Sequence, residues 1–324
     1  MKKIIAIALV LLVLAAGCNT QVQAEATPIN TASTSPSAET PTADIGFCLA
    51  GSDAFYEQLK LDIEGECAAL GYTFEIRSAE TADQQKEDIA ALLAMDVSVI
   101  VIDPVDVDAL ETSLAECETQ GVRVIDVIDS INGTTSMLIA PDYMKAGETA
   151  ADYVNDLLST GKCLVLKTSY DSFVMQLLSD GFEGALDSDI TVEQVFCGED
   201  QQAAYDAVKA ALAGDTGVVF AQNGALAKGA VQALTEAASD VPLVVFDGSM
   251  DTVAAVASGD IDAAVFFGPA DLAHQALAHA QQMIQNEAYA PPQYVELNVQ
   301  TIDAQNAAQY QNDSAHYAQV KTNS

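Results

Sequence analysis

The most regular feature of the chain is an alternation of short apolar runs with longer amphipathic segments, which begins after the first 43 residues. The amphipathic segments place apolar residues three and four positions apart, as in the series Tyr56, Leu59, Ile63, Cys67 and Leu70. That spacing gives a helix one apolar stripe, whereas near-continuous Val and Ile are typical of strands buried on both faces of a parallel sheet. Strand, helix, strand, repeated along the chain, predicts a doubly wound α/β fold.

The same alternation occurs on both sides of residue 141, which predicts two similar lobes. The predicted strands are Ile45 to Leu49, Tyr72 to Ile76, Val97 to Ile102, Val122 to Ile128, Lys162 to Leu166, Val192 to Phe196, Val218 to Phe220, Val241 to Phe246 and Ala263 to Phe267. Prolines at 141, 269, 291 and 292 fall between elements and mark predicted crossings, so a hinge of three segments joins the lobes. We assign 44–141 plus 270–290 to the N-terminal lobe, 142–269 plus 291–310 to the C-terminal lobe, and 311–324 to a polar tail.

The first residues have the pattern of an export signal. Lys2 and Lys3 precede an apolar run, Ile4 to Ala16, which is too short for a permanent membrane span. The run ends in Leu-Ala-Ala-Gly-Cys, which resembles a bacterial lipobox with its leucine one position early. We therefore predict a signal peptide over 1–17 and lipidation of Cys18; the alternative is an ordinary signal peptide with an incidental cysteine.

Residues 18–43 have no apolar periodicity and consist mainly of Thr, Ala, Ser, Pro, Gln and Asn. Such a composition cannot bury enough surface to offset the entropy of ordering the chain. We expect a flexible tether, kept extended by Pro28, Pro36 and Pro41. The globular part is then extracytoplasmic and attached to the cell membrane, at a bacterial surface or in a periplasm.

The net charge of the chain excludes nucleic acid as a partner. With 12 Lys and Arg against 47 Asp and Glu, the chain has a formal net charge of −35 and cannot build the basic face that nucleic acid requires. Hydrophobic residues make up 50% of the chain, so a folded core is expected despite the charge. A monomer is expected.

The remaining chemistry of the sequence does not indicate an enzyme. His274 and His279 lie five apart and match no metal or triad pattern, and no phosphate-binding glycine motif is present, so we predict no cofactor, metal or catalytic residue. Five cysteines beyond Cys18 have apolar neighbours, which predicts buried small hydrophobic residues, although an exported protein allows one disulfide. These are Cys48, Cys67, Cys117, Cys163 and Cys197.

Polar residues follow the strands where a ligand would bind an open parallel sheet, at the carboxyl ends. They include Asp53 after the first strand, Asp103 after the third, Asp129 after the fourth, Asn223 and Asp247. Carboxylates and amides beside aromatic side chains suit a ligand rich in hydroxyls. An Asp after a strand is also a common helix cap, and for Asp103 both roles are open.

Several motifs in order carry a resemblance to a known family. They are Val99 to Asp106, Phe220 to Asn223, Val244 to Gly248, Asp142 at a crossover helix, and Asn306 with Tyr310. From about Asp44 to Tyr310 the chain resembles type I periplasmic binding proteins of the ribose- and galactose-binding group, the receptors of sugar ABC importers. The resemblance implies two lobes, a ligand in the cleft between them, and a membrane permease as partner.

Transferred position by position, the family's binding site implies a ligand-binding set. It comprises Asp53, Phe55, Tyr56, Asp103, Asp129, Gln176, Asn223, Asp247 and Phe267. Two arginines of sugar-binding relatives are missing, because their positions fall on Asp129 and Gln176, and a late glutamine falls on Phe267. Without a guanidinium, an acidic sugar is disfavoured, and an amino sugar, nucleoside or other cationic solute competes with a neutral sugar.

The expected function is therefore a lipid-anchored substrate-binding protein of an ABC importer that takes a monosaccharide-like solute. The alternatives are a binding protein for a cationic or nucleoside-type solute, and a receptor that presents its ligand to a sensor kinase or chemoreceptor. An enzyme is a further alternative.

Overall fold

A computed structural model describes residues 42–52, 54–129, 135–168 and 172–310. The predicted signal peptide, Cys18, nearly all of the tether, Asp53 and the polar tail lie outside these residues. Among the helices that are described, none combines the length and apolar character needed to cross a bilayer.

The first lobe is built by the N-terminal part of the chain. Its elements are β1 (Ile45–Ala50), α1 (Ala54–Leu70), β2 (Phe74–Ala79), α2 (Ala82–Ala94), β3 (Val99–Ile102), a 3₁₀ turn (Asp108–Leu110), α3 (Glu111–Gln120), β4 (Arg123–Val127) and β5 (Met137–Pro141).

The second lobe repeats this order. Its elements are α4 (Tyr143–Leu157), β6 (Gly161–Lys167), α5 (Phe173–Ala185), β7 (Ile190–Phe196), α6 (Gln201–Ala211), β8 (Thr216–Ala221), α7 (Gly224–Ala237), β9 (Leu243–Phe246), α8 (Met250–Ser258) and β10 (Ala263–Phe266). The last elements that the structure describes are α9 (Pro269–Gln285), β11 (Tyr294–Leu297) and β12 (Gln300–Asp303).

The strands form two sheets with matching topology. The first has the order β11-β5-β4-β3-β1-β2 with every pair parallel, and the second has the order β12-β10-β9-β8-β6-β7 with only β12 antiparallel. The order reverses between β1 and β3 and again between β6 and β8. At such switch points the loops leave the sheet in opposite directions and open a crevice at the carboxyl ends. The predicted α/β class with two parallel-sheet lobes is confirmed.

The last part of the chain differs from the prediction. β11 pairs in parallel with β5, so residues 294–297 lie in the first sheet, whereas we assigned 291–310 to the second lobe. The described chain crosses between lobes after Pro141, at Gly268–Pro269 and between β11 and β12, not at Pro291 and Pro292. Those two prolines precede β11, where a residue without an N–H removes no ladder hydrogen bond.

The cores of both lobes are apolar, and the cysteines belong to them. Cys48, Cys67, Cys117, Cys163 and Cys197 are buried free thiols, so no disulfide joins them. Burial raises the pKa of Cys48 and Cys163 to about 12. The thiols therefore stay protonated and act as small apolar side chains.

Candidate functional site

A cavity of about 280 Å³ lies between the carboxyl ends of the two sheets. Both lobes contribute to its wall, which includes Phe55, Tyr56, Ile128, Tyr143, Thr168, Ser172, Met175, Glu199, Gln222, Asn223, Phe246, Asp247, Gly248, Phe266 and Phe267. Its volume and its mixture of aromatic, amide and carboxylate groups are those of a small-molecule site.

Aromatic rings cross the cavity from one lobe to the other. Tyr56 packs edge-on against Phe55 at 5.5 Å between centroids, and Phe55 against Phe267 at 5.4 Å. Phe267 then meets Phe246 at 6.3 Å, and Phe246 meets Tyr143 at 5.9 Å. The first-lobe helix α1 supplies Phe55 and Tyr56. In the second lobe, Phe246 ends β9, Phe267 follows β10 and Tyr143 begins α4, so this aromatic chain spans both lobes.

The first-lobe acid is held behind Tyr56. Asp103 is only 3% exposed, and the Tyr56 hydroxyl donates a 2.5 Å hydrogen bond to its Oδ2. Burial, helped by the charges of Asp129 and Asp126, raises the pKa of Asp103 to about 8 against the lowering effect of the Tyr56 hydrogen bond. Tyr56, not Asp103, therefore presents the polar atom on this side of the cavity.

The second-lobe acid is fixed by hydroxyl groups. Asp247 Oδ2 accepts hydrogen bonds from the Ser249 amide at 3.2 Å and the Ser249 hydroxyl at 2.5 Å, and a further one from the Thr252 hydroxyl. Ser249 also caps α8 by accepting from the amide of Thr252. A β-carbon on Gly224 would lie 2.8 Å from Asp247 Oδ2, so the absence of a side chain there lets this carboxylate approach the start of α7.

Two amides organise the rest of the second-lobe wall. Asn223 caps α7 through Oδ1, which accepts from the amide of Leu226, and its Nδ2 donates to Glu199 Oε2 at 2.5 Å. Gln222 is 1% exposed and connects the amide of Thr168 with the hydroxyl of Ser179. Both amides hold other wall groups in place.

The nine predicted binding residues are distributed unevenly. Five line the cavity: Phe55, Tyr56, Asn223, Asp247 and Phe267. Asp103 acts through Tyr56, and Asp129 does not line the cavity, although its charge acts on Asp103 and Tyr143. Gln176 is also absent from the wall, because its amide donates to Asp180 Oδ1 at 2.6 Å on the exposed side of α5. Asp53 lies outside the described residues.

Sequence reasoning missed several lining residues. Glu199, Tyr143, Ser172 and Met175 were not proposed as binding residues. Ser172 is the N-cap of α5, and its place after a strand was a usable signal. Glu199 follows the left-handed Gly198, whose φ is 61°, and that Gly-Glu turn carried no distinctive signal.

No metal centre accompanies this cavity as far as the structure describes the chain. Within the described ranges, no group of three or more His, Cys, Asp or Glu side chains is arranged to hold a metal ion. His274 lies 3.6 Å from Glu66, and His279 Nδ1 is 2.5 Å from the Tyr289 hydroxyl; none of these four residues lines the cavity.

Comparisons with known proteins agree with this architecture. A family model described as a periplasmic binding protein domain matches residues 45–288. The ribose import binding protein of Bacillus subtilis (strain 168) is 28% identical over 225 residues, covering 66% of this chain and 72% of that protein. The D-apiose import binding protein of Paraburkholderia graminis is 26% identical over 278 residues, covering 83% and 86%.

A solved structure gives the same result in three dimensions. An ABC transporter solute binding protein from Mycobacterium smegmatis with bound glycerol superposes with a TM-score of 0.73 at 26% identity. The match covers 83% of this chain and 96% of that one.

Proposed function

Because the chain belongs to the periplasmic binding protein domain family, with its type I fold, we propose that it is the substrate-binding protein of an ABC importer. Its substrate is a small solute of the sugar or polyol class. The names of the relatives support this class, since two are import binding proteins for pentoses and a third was solved with glycerol. These relatives are named as binding proteins, which supports binding rather than catalysis here.

The observation that carries the proposal is a cavity whose wall comes from both lobes. Tyr56 and Phe55 lie on one side, and Asn223 and Asp247 lie on the other. A solute that touches both sides is bound more tightly when the lobes are closed, and this difference in affinity shifts the protein toward the closed state. We propose that the closed form docks on a membrane permease, and that Phe55, Tyr56, Asn223, Asp247 and Phe267 contact the solute.

Attachment to the membrane is part of the proposal. The lipobox-like string ending at Cys18 and the tether after it support a lipid anchor on the extracytoplasmic side of the cell membrane. In a bacterial host, wild-type protein should incorporate labelled palmitate and stay with the membrane fraction. Cys18→Ser should incorporate none and appear in the soluble extracytoplasmic fraction. Equal labelling of both proteins would contradict the anchor.

A ligand screen tests the binding function. We expect at least one member of a panel of pentoses, hexoses, polyols and amino sugars to raise the melting temperature. At a hundredfold excess over Kd, the ligand adds about 2.7 kcal/mol to the free energy of unfolding. Asp247→Asn should reduce this shift, while Glu87→Gln, an exposed change on α2, should keep it. If no compound in the panel raises the melting temperature of the wild-type protein, the result contradicts the proposed function.

A further inference from the structure

The wall of the cavity changes in character along the second sheet. Its strands β10, β9, β8, β6 and β7 are neighbours in that order. At the β10 side the described wall is aromatic, with Phe266 at the end of β10 and Phe267 after it, and β9 contributes one ring and one acid, Phe246 and Asp247. The strands beyond β9 are followed by polar wall residues: Gln222 and Asn223 after β8, Thr168 and Ser172 after β6, and Glu199 after β7.

The aromatic end of the cavity, formed by Phe55, Phe246, Phe266 and Phe267, is closely packed. The ring of Phe267 meets that of Phe55 from the first lobe at 5.4 Å and that of Phe246 at 6.3 Å. Phe246 and Phe266 are each 6% exposed, and Phe267 is 7% exposed. Gly268, the next residue along the chain, begins the crossing into α9, so the aromatic end lies on the hinge side of the cavity.

The two ends of the wall suit different parts of a sugar. Amide, hydroxyl and carboxylate groups beyond β9 are partners for the hydroxyl groups of a solute. At the aromatic end, a solute hydroxyl would lose hydrogen bonds to water, and a phenyl ring replaces none of them at comparable strength. A methyl group in the same place loses no hydrogen bond and gains contact with the rings. The wall therefore favours a solute with hydroxyl groups along one side and a methyl group at one end.

We propose that the natural solute is a terminally deoxygenated sugar, in which a methyl group replaces the terminal hydroxymethyl group. The methyl group lies against Phe267, and the hydroxyl groups point toward the ends of β8, β6 and β7. This inference rests on the proposed function and narrows its substrate class. Phe267 determines the preference for the methyl group, because its ring contacts both Phe55 and Phe246 and so occupies the middle of the aromatic end.

Matched pairs of sugars that differ by one terminal oxygen atom test the inference. We would titrate D-fucose against D-galactose, L-fucose against L-galactose, L-rhamnose against L-mannose, and 5-deoxy-D-ribose against D-ribose by calorimetry. Within each pair that binds, the deoxy member should bind about tenfold more tightly, the size expected for one hydroxyl group left without a hydrogen bond. Phe267→Gln supplies an amide that can bind this hydroxyl group, and it should bring the ratio to about one or reverse it.

The control is Phe173→Gln, which makes the same chemical change on a side chain that is 71% exposed and does not line the cavity. It should leave the ratios unchanged. The ratios of the wild-type protein test the substrate class even if Phe267→Gln does not fold.

Three results would contradict the inference. If the hydroxylated member binds as tightly as its deoxy partner in every pair that binds, the substrate class is wrong while the proposed function stands. If Phe267→Gln keeps the ratio of the wild-type protein, or if Phe173→Gln changes it equally, Phe267 does not determine the preference. If no member of any pair binds, the result contradicts the proposed function as well.

Discussion

The Tyr143 hydroxyl donates a 3.0 Å hydrogen bond to the backbone carbonyl of Ile128. Tyr143 begins α4 of the second lobe, and Ile128 follows β4 of the first, so this bond joins the lobes beside the cavity. Ile128 has a φ of 69°, a region that β-branched residues rarely adopt. Such strained positions persist only where surrounding contacts fix them, and the Tyr143 hydroxyl is one of those contacts.

Removing that hydroxyl should weaken the connection between the lobes. We expect Tyr143→Phe to lower the free energy of unfolding by about 1 kcal/mol, measured by urea denaturation, and to weaken solute binding. Tyr294→Phe is the control, because the Tyr294 hydroxyl also donates to a carbonyl, that of Ala140, at 3.0 Å but within the first lobe. An equal loss of affinity in both variants would show that the bond between the lobes has no special role.

Asp103 should make stability depend on pH. Burial raises its pKa from 3.8 to about 8, so the folded chain holds this proton more tightly than the unfolded chain does. The contribution of Asp103 to stability is therefore greatest below about pH 4 and falls as pH rises to about 8. As the pH rises through this window, the melting temperature of the wild-type protein should fall relative to that of Asp103→Asn. Parallel profiles of the two proteins would contradict the buried, protonated acid.

Gln222 should matter for stability more than its size suggests. Replacing it with Leu removes the acceptor of the buried Thr168 amide, which costs about 1–3 kcal/mol for an unsatisfied group, whereas the Ser179 hydroxyl keeps its hydrogen bond to the Met175 carbonyl. Gln232→Leu, on the exposed side of α7, removes only a surface hydrogen bond to Glu236 and should cost far less. Chemical denaturation of both variants measures the difference, and similar losses would contradict this role.

The contact between α4 and α5 depends on glycine. A β-carbon on Gly181 would lie 2.0 Å from the Met144 carbonyl oxygen, whereas one on Gly184, also in α5, would meet nothing within 4 Å. Gly181→Ala should destabilise the protein by about 3 kcal/mol through overpacking, and Gly184→Ala should be neutral or stabilising. Thermal unfolding of the two variants decides this, and a tolerated Gly181→Ala would mean that the helices separate easily.

Much of the fold could be predicted from the sequence because its central strands are buried on both faces. The run Val99–Ile102 is wholly buried, and such runs are visible in the sequence alone. The sequence prediction missed β5, β11 and β12. Tyr294–Leu297 and Gln300–Asp303 lie at sheet edges and retain polar residues, whereas Met137–Pro141 is a short interior strand of the first sheet. The predicted position of the last crossing between the lobes was wrong because β11 and β12 had not been predicted.

The site could be predicted only in part. Strand ends identified Asn223 and Asp247, since parallel topology fixes where those ends meet. Gln176 was assigned by position in a resemblance, and the start of α5 at Phe173 turns it outward while Ser172 and Met175 face the cavity. The covering of Asp103 by Tyr56 depends on how α1 packs, which no local sequence pattern encodes.

A crystal structure with the solute that most raises the melting temperature tests the central claim most directly. We predict density for the solute in the cavity, in contact with Phe55 or Tyr56 on the first lobe and with Asn223 or Asp247 on the second. Solute bound outside this cavity, or held by one lobe alone, would contradict capture between the lobes.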